Sequence, residues 1–157
     1  MDIMRIFLAA ALLLLAPATA WAAEPLSISG LVAKPARLTM AELRKLPARR
    51  VAVKQTSKHG AVPLNCSGPA LTAVLDRVKL SLPPGKNVAL RHTLLFTASD
   101  GYAVVLSLGE IDPDYGNAAP VLATECDGKP LDAPRLVMPG DKSASRSVYG
   151  LTRIQVR

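Results

Sequence analysis

Aromatic side chains are scarce in this chain: one Trp, three Tyr and two Phe, 4% of 157 residues. Stacking platforms for successive nucleic-acid bases are therefore nearly absent. Cysteine and histidine number two each. That excludes a Cys-rich four-ligand zinc framework and a dense disulfide scaffold. The sequence has no G-x-x-x-x-G-K-[ST] and no G-x-G-x-x-G, so neither phosphate cradle is present. It has no H-E-x-x-H, no C-x-x-C and no G-x-S-x-G elbow. His59 and His92 stand far apart, with no carboxylate at a triad-like spacing, and His92 reads as a surface residue. Nothing in these residue types specifies nucleophilic or general acid–base catalysis. Charged residues make up only 20% against 50% hydrophobic, which excludes disorder as the main state.

Long apolar runs are also lacking, with one exception. Ile6 to Ala16 follows Arg5 and is broken by Pro17. It has the length of a signal h-region and is too short for a membrane span. Ala18-Thr19-Ala20 and Ala20-Trp21-Ala22 both offer the small-x-small pattern of a cleavage site. Residues 1–23 are therefore expected to be a cleaved signal peptide, leaving 24–157 as one soluble periplasmic domain. That compartment is oxidising and permits a Cys66–Cys126 disulfide. Two separate buried thiols are the other arrangement open to them.

Nineteen Lys and Arg face twelve Asp and Glu, a net charge of +7. Arg37, Arg44, Lys45, Arg49, Arg50, Lys54 and Lys58 load the first half; Lys142, Arg146, Arg153 and Arg157 load the end. The bases are scattered, often at alternating strand positions. They suit solubility and attraction of anionic ligands, and no nucleic-acid partner is expected.

Periodicity predicts an α+β domain built on mixed sheets. Leu26 to Val32 alternates as a strand, and Pro35 falls in a connection. Thr39 and Glu42 form a capping box for a short helix that Pro47 stops. Arg50 to Thr56 and Ala61 to Asn65 read as a hairpin around Ser57–Gly60. Gly68-Pro69 is expected to start a helix with Leu71, Val74, Leu75 and Val78 on its apolar face. Val88 to Ala98 reads as one buried strand, turned by Asp100-Gly101 into Tyr102–Leu106. One helical turn at Leu108–Ile111 follows. Val121–Cys126, a turn at Asp127-Gly128, a short strand at Arg135–Met138 and a last strand over Val148–Val156 complete the chain.

Several of these segments carry a family pattern. Gly30 with Leu38-Thr39 through Pro47, and Gly68 with Leu71 to Val78, resemble the opening of the sulfite-oxidase-type molybdopterin-binding domain. The sharper pieces are Ala98-Ser99-Asp100-Gly101-Tyr102, Val121-Leu122-Ala123 before Asp127-Gly128-Lys129-Pro130-Leu131, and Arg135-Leu136-Val137-Met138-Pro139-Gly140-Asp141-Lys142 with Arg146-Ser147-Val148. The resemblance covers nearly all of residues 24–157 and is closest to small exported, single-domain pterin-binding members. It implies a mixed β-rich α+β fold with a pterin cleft.

The family's redox enzymes hold molybdenum through one Cys thiolate in a Cys-x-Gly-Asn-x-Arg context. Here Asn65-Cys66-Ser67-Gly68-Pro69-Ala70 departs from it: Pro69 is present and the Arg is missing. Cys66 is accordingly expected to be structural, and molybdenum is not expected. In the cleft, Asp100 and Asp141 suit the donor edge of a pterin, Arg146 its stacking or anchoring, and Tyr102 its ring face. Lys142, Ser143 and Ser147 suit its side chain or a phosphate. The plainer roles are a hairpin turn for Asp100 and a turn cap for Asp141. The expected function is a metal-free periplasmic pterin-binding protein that presents ligand state to the outer domain of a membrane-bound sensor. The alternatives are a small molybdopterin-dependent oxidoreductase with Cys66 on the metal, and an interaction domain that has lost the cleft.

Overall fold

The computed structural model describes residues 23–157, apart from the side chains of Gln55 and Ser57. The expected leader, residues 1–23, lies outside the described residues except for Ala23. Among the described residues no helix is long and apolar enough to cross a membrane.

Two sheets and a few short helices make up the domain. The first sheet has the order β2-β1-β9-β5-β6. Its strands are β1 (Leu26–Gly30), β2 (Ala36–Leu38), β5 (Thr93–Ala98), β6 (Ala103–Ser107) and β9 (Leu151–Val156). β1 and β9 run parallel, and the other pairs are antiparallel. The second sheet, β3-β4-β7-β8, is antiparallel throughout. It comprises β3 (Ala48–Ser57), β4 (Gly60–Pro69), β7 (Val121–Cys126) and β8 (Lys129–Val137).

Alternation explains which faces meet. Leu26 and Ile28 of β1, Leu94 and Phe96 of β5, and Leu151, Ile154 and Val156 of β9 are buried while their neighbours are not. They pack with Leu122 and Leu136 of the second sheet. Helix α2 (Leu71–Val78) adds Leu71, Val74, Leu75 and Val78 to this core. Two backbones approach too closely for a side chain. A Cβ on Gly68 would lie 2.1 Å from the Leu122 carbonyl oxygen, and one on Gly30, at φ +93°, 2.0 Å from that of Val156.

Helix α1 (Met40–Arg44) starts as its capping box requires: Thr39 Oγ1 accepts from the Glu42 N–H, and the Glu42 carboxylate accepts from the Thr39 N–H at 2.8 Å. The bond from the Thr39 N–H, and then that from the Thr39 hydroxyl, which donates to Glu42 Oε2 at 2.8 Å, hold the Glu42 carboxyl below its ordinary range. A depressed value means that the box contributes above the unfolded-state pKa and is lost as pH falls through the folded one.

The elements differ from the periodicity reading in four places. Gly68 and Pro69 end strand β4, and the helix begins at Leu71. Val88–Ala98 is not one strand, because Val88–Arg91 forms the short helix α3. Asn87 adopts φ +51° before it, and His92 Nδ1–H donates to the Val88 carbonyl at 2.9 Å, closing the turn. β8 runs from Lys129, so Pro130 and Pro134 lie within a strand. They are tolerated because β8 is an edge strand. β2 was hidden by the Pro35 connection.

A second, smaller core lies on the other face of the second sheet: Val53, Cys66, Ala123, Cys126 and Val137. In its middle Cys66 and Cys126, opposite each other on β4 and β7, form a disulfide with Cα atoms 4.1 Å apart. It closes a loop of sequence separation 60. Replacing both with Ala is expected to lower the unfolding free energy by about 2–5 kcal/mol, measured by urea denaturation. A loss below about 1 kcal/mol would show that the bond does not constrain this fold.

Candidate functional site

The residues expected to meet a ligand lie on two stretches: the β5–β6 turn and the β8–β9 connection. Asp100 closes the first, its Oδ1 accepting from the Tyr102 N–H at 2.9 Å while Gly101 takes φ +86°. The second is long and irregular and needs fastening.

Arg146 supplies the fastening. Its Nε and Nη2 donate to the two oxygens of Asp141 at 2.9 and 2.6 Å, and Nη1 donates to Glu110 Oε1 at 2.6 Å. The bidentate fork suits a planar guanidinium and no other side chain. Glu110 lies in helix α4 (Leu108–Ile111) and also caps it, its Oε2 accepting from the Ser107 N–H at 2.8 Å. One carboxylate thus joins the corner after β6 to the β8–β9 connection. The bonds to Asp141 and then Glu110 raise the Arg146 pKa. A raised value means that this stabilisation is complete below the ordinary arginine range and is lost only above it. No physiological pH change therefore removes the arginine's charge.

Three further contacts hold the same connection. The Tyr102 hydroxyl donates to the Ser145 carbonyl. Ser143 Oγ accepts from the Ser145 N–H and starts the 3₁₀ turn Ala144–Arg146. The Lys142 carbonyl accepts from the Thr56 N–H of β3 at 3.2 Å.

These contacts leave a hollow of about 250 Å³ lined by Asp100, Tyr102, Ala144, Ser147 and Tyr149. Both tyrosines are roughly half exposed, at 46% for Tyr102 and 58% for Tyr149, whereas Ser147 is buried. Arg135 covers one face of the Tyr149 ring: its guanidinium carbon lies 3.7 Å over the ring centroid, and its Nη2 donates to the Tyr149 hydroxyl. Burial pushes the Arg135 pKa down, and its contacts with Tyr149 push it back up.

Of the seven residues expected at the cleft, Asp100, Tyr102 and Ser147 share this hollow. Arg146 and Asp141 satisfy each other instead of lining it. Lys142 and Ser143 fasten the connection. Glu110 and Tyr149 were not anticipated. The Ser107-x-x-Glu110 spacing marks a cap but cannot show which arginine the carboxylate faces. Tyr149, three residues after Arg146, was legible only as one of the chain's few aromatics.

A molybdenum site on Cys66 does not fit this donor set. The chain's two cysteines are joined to each other, 2.01 Å between sulfurs, and no free thiol is left.

No family model matches the chain, and no curated protein matches it. Among solved structures 27 chains match. One is the sulfane dehydrogenase SoxCD from Paracoccus pantotrophus, at TM-score 0.65 and 18% identity over 85% of this chain. The two share a fold. The chain spans 38% of that SoxCD chain, and the similarity to the sulfite-oxidase-type family is distant.

Arg146→Met is expected to lower stability by about 1 kcal/mol, a modest figure because the pair is partly exposed. It should also speed tryptic cleavage after Lys142 several-fold as the connection opens. Arg146→Lys should restore little, lacking the fork. Unchanged stability and cleavage in Arg146→Met would show that the ion pairs do not hold the connection.

Proposed function

We propose that this chain is a metal-free binding domain for a pterin, on a fold it shares with a much larger dehydrogenase. The observation that carries the reading is the Cys66–Cys126 bond. In the family the chain resembles, molybdenum is held through a Cys thiolate, and this bond consumes both sulfurs. An oxidoreductase holding molybdenum through Cys66 would have to break it first.

The hollow supports the organic half of the reading. Its volume of about 250 Å³ suits one bicyclic ring system. Tyr102 and Tyr149 offer aromatic surface to a flat ring, and Asp100 offers a carboxylate to a donor edge like guanine's. Arg146 and Asp141 serve the ligand indirectly, by holding Ala144 and Ser147 in the wall.

The disulfide also favours an oxidising compartment, in agreement with the leader pattern at the N-terminus. We place the domain in the periplasm on those two grounds. The family resemblance further implies that ligand state is read by the outer domain of a membrane-bound sensor.

Titrating the protein with neopterin and following pterin fluorescence tests the reading. Saturable quenching at one ligand per chain is expected. Tyr149→Ala or Tyr102→Ala should weaken it about tenfold, by analogy with the loss of a stacked ring. No saturable binding, or binding indifferent to both substitutions, would contradict it.

A further inference from the structure

A second hollow, of about 320 Å³, lies between α2 and α4, where no role has been assigned. Leu75 of α2, Leu82 of the following loop, and Leu108 and Ile111 of α4 give it apolar walls. The charged residues lining it are Asp76 and Asp112, both acids, in a chain whose net charge is +7. Asp112 Oδ1 accepts from the Asp114 N–H at 2.9 Å, which fixes that carboxylate in place.

We propose that this hollow binds a small organic cation with an apolar body, an alkyl- or arylammonium ion. The argument is one of desolvation. Asp76 is exposed and Asp112 half-buried, and an apolar group that fills the hollow takes part of the water from both carboxylates, which is unfavourable without a partner. A neutral apolar ligand leaves that penalty unmet, and an anion adds repulsion. An ammonium group on an apolar stem meets it, with the stem on Leu75, Leu108 and Ile111 and the charge beside Asp76 and Asp112. The surrounding positive charge of the chain works against cations at long range, so the selectivity is local to this acid pair. This site is lined by none of the residues of the Tyr102–Tyr149 hollow, and the proposal stands apart from the pterin reading.

The test titrates the full protein at neutral pH with phenethylammonium, and in parallel with phenethyl alcohol and hydrocinnamate, which share the ring but are neutral and anionic. Methyl NMR signals of Leu75, Leu108 and Ile111 report occupancy directly. The ammonium ion should saturate these signals and bind at least tenfold more tightly than either analogue. Asp76→Asn with Asp112→Asn should erase that preference while the rest of the spectrum stays folded. Equal binding of all three compounds, no saturation, or a preference that survives the double substitution would overturn the proposal.

Discussion

Strands β4 and β7 share two register positions, Cys66 opposite Cys126 and Ser67 opposite Glu125, flanked by the Ala70–Val121 bridge at one end and by the Asp127 N–H donating to the Asn65 carbonyl at 2.7 Å at the other. Each is otherwise committed to its own hairpin, β3–β4 or β7–β8. The four-stranded sheet is therefore two hairpins joined at a short seam, and the disulfide crosses that seam. So short a ladder offers few hydrogen bonds, each worth only about 1 kcal/mol net. A covalent link there reinforces the backbone bonds that join the two hairpins. The same geometry removes the sulfur of Cys66 from any other chemistry.

The second constraint is electrostatic. The β8–β9 connection has little regular structure to hold it, and Arg146 ties it to α4 through Glu110 and to itself through Asp141. Tyr102, from the opposite turn, adds its bond to the Ser145 carbonyl. These contacts fix the connection that supplies Ala144, Ser147 and Tyr149 to the hollow. Arg146 and Asp141, which look like ligand contacts in the sequence, bond each other and, through Arg146, Glu110.

Much of the fold was legible because its signals are local. The capping box at Thr39 and Glu42, the Asp100-Gly101 and Asp127-Gly128 turns, and the alternation in β1 and β5 depend on neighbours within a few residues. The errors fell where tertiary context decides. Val88–Ala98 is apolar and β-prone as a whole, yet its first four residues, with the helix formers Ala89, Leu90 and Arg91, coil after Asn87 takes a left-handed conformation, and His92 closes the turn. Pro130 and Pro134 break a central strand but not an edge strand. Of the residues lining the hollow, Asp100, Tyr102 and Ser147 were singled out by their motifs. Tyr149 and Glu110 were not, since their roles rest on Arg135 and Arg146, which reach them only in the folded chain.

Counting free thiols and molybdenum in the same sample tests the central claim most directly, with the protein isolated without reductant from the compartment where it resides. The account predicts no alkylatable thiol in the unfolded, non-reduced chain and molybdenum far below one atom per chain. One molybdenum per chain, with a metal–sulfur distance in its X-ray absorption spectrum that Cys66→Ala abolishes, would contradict it.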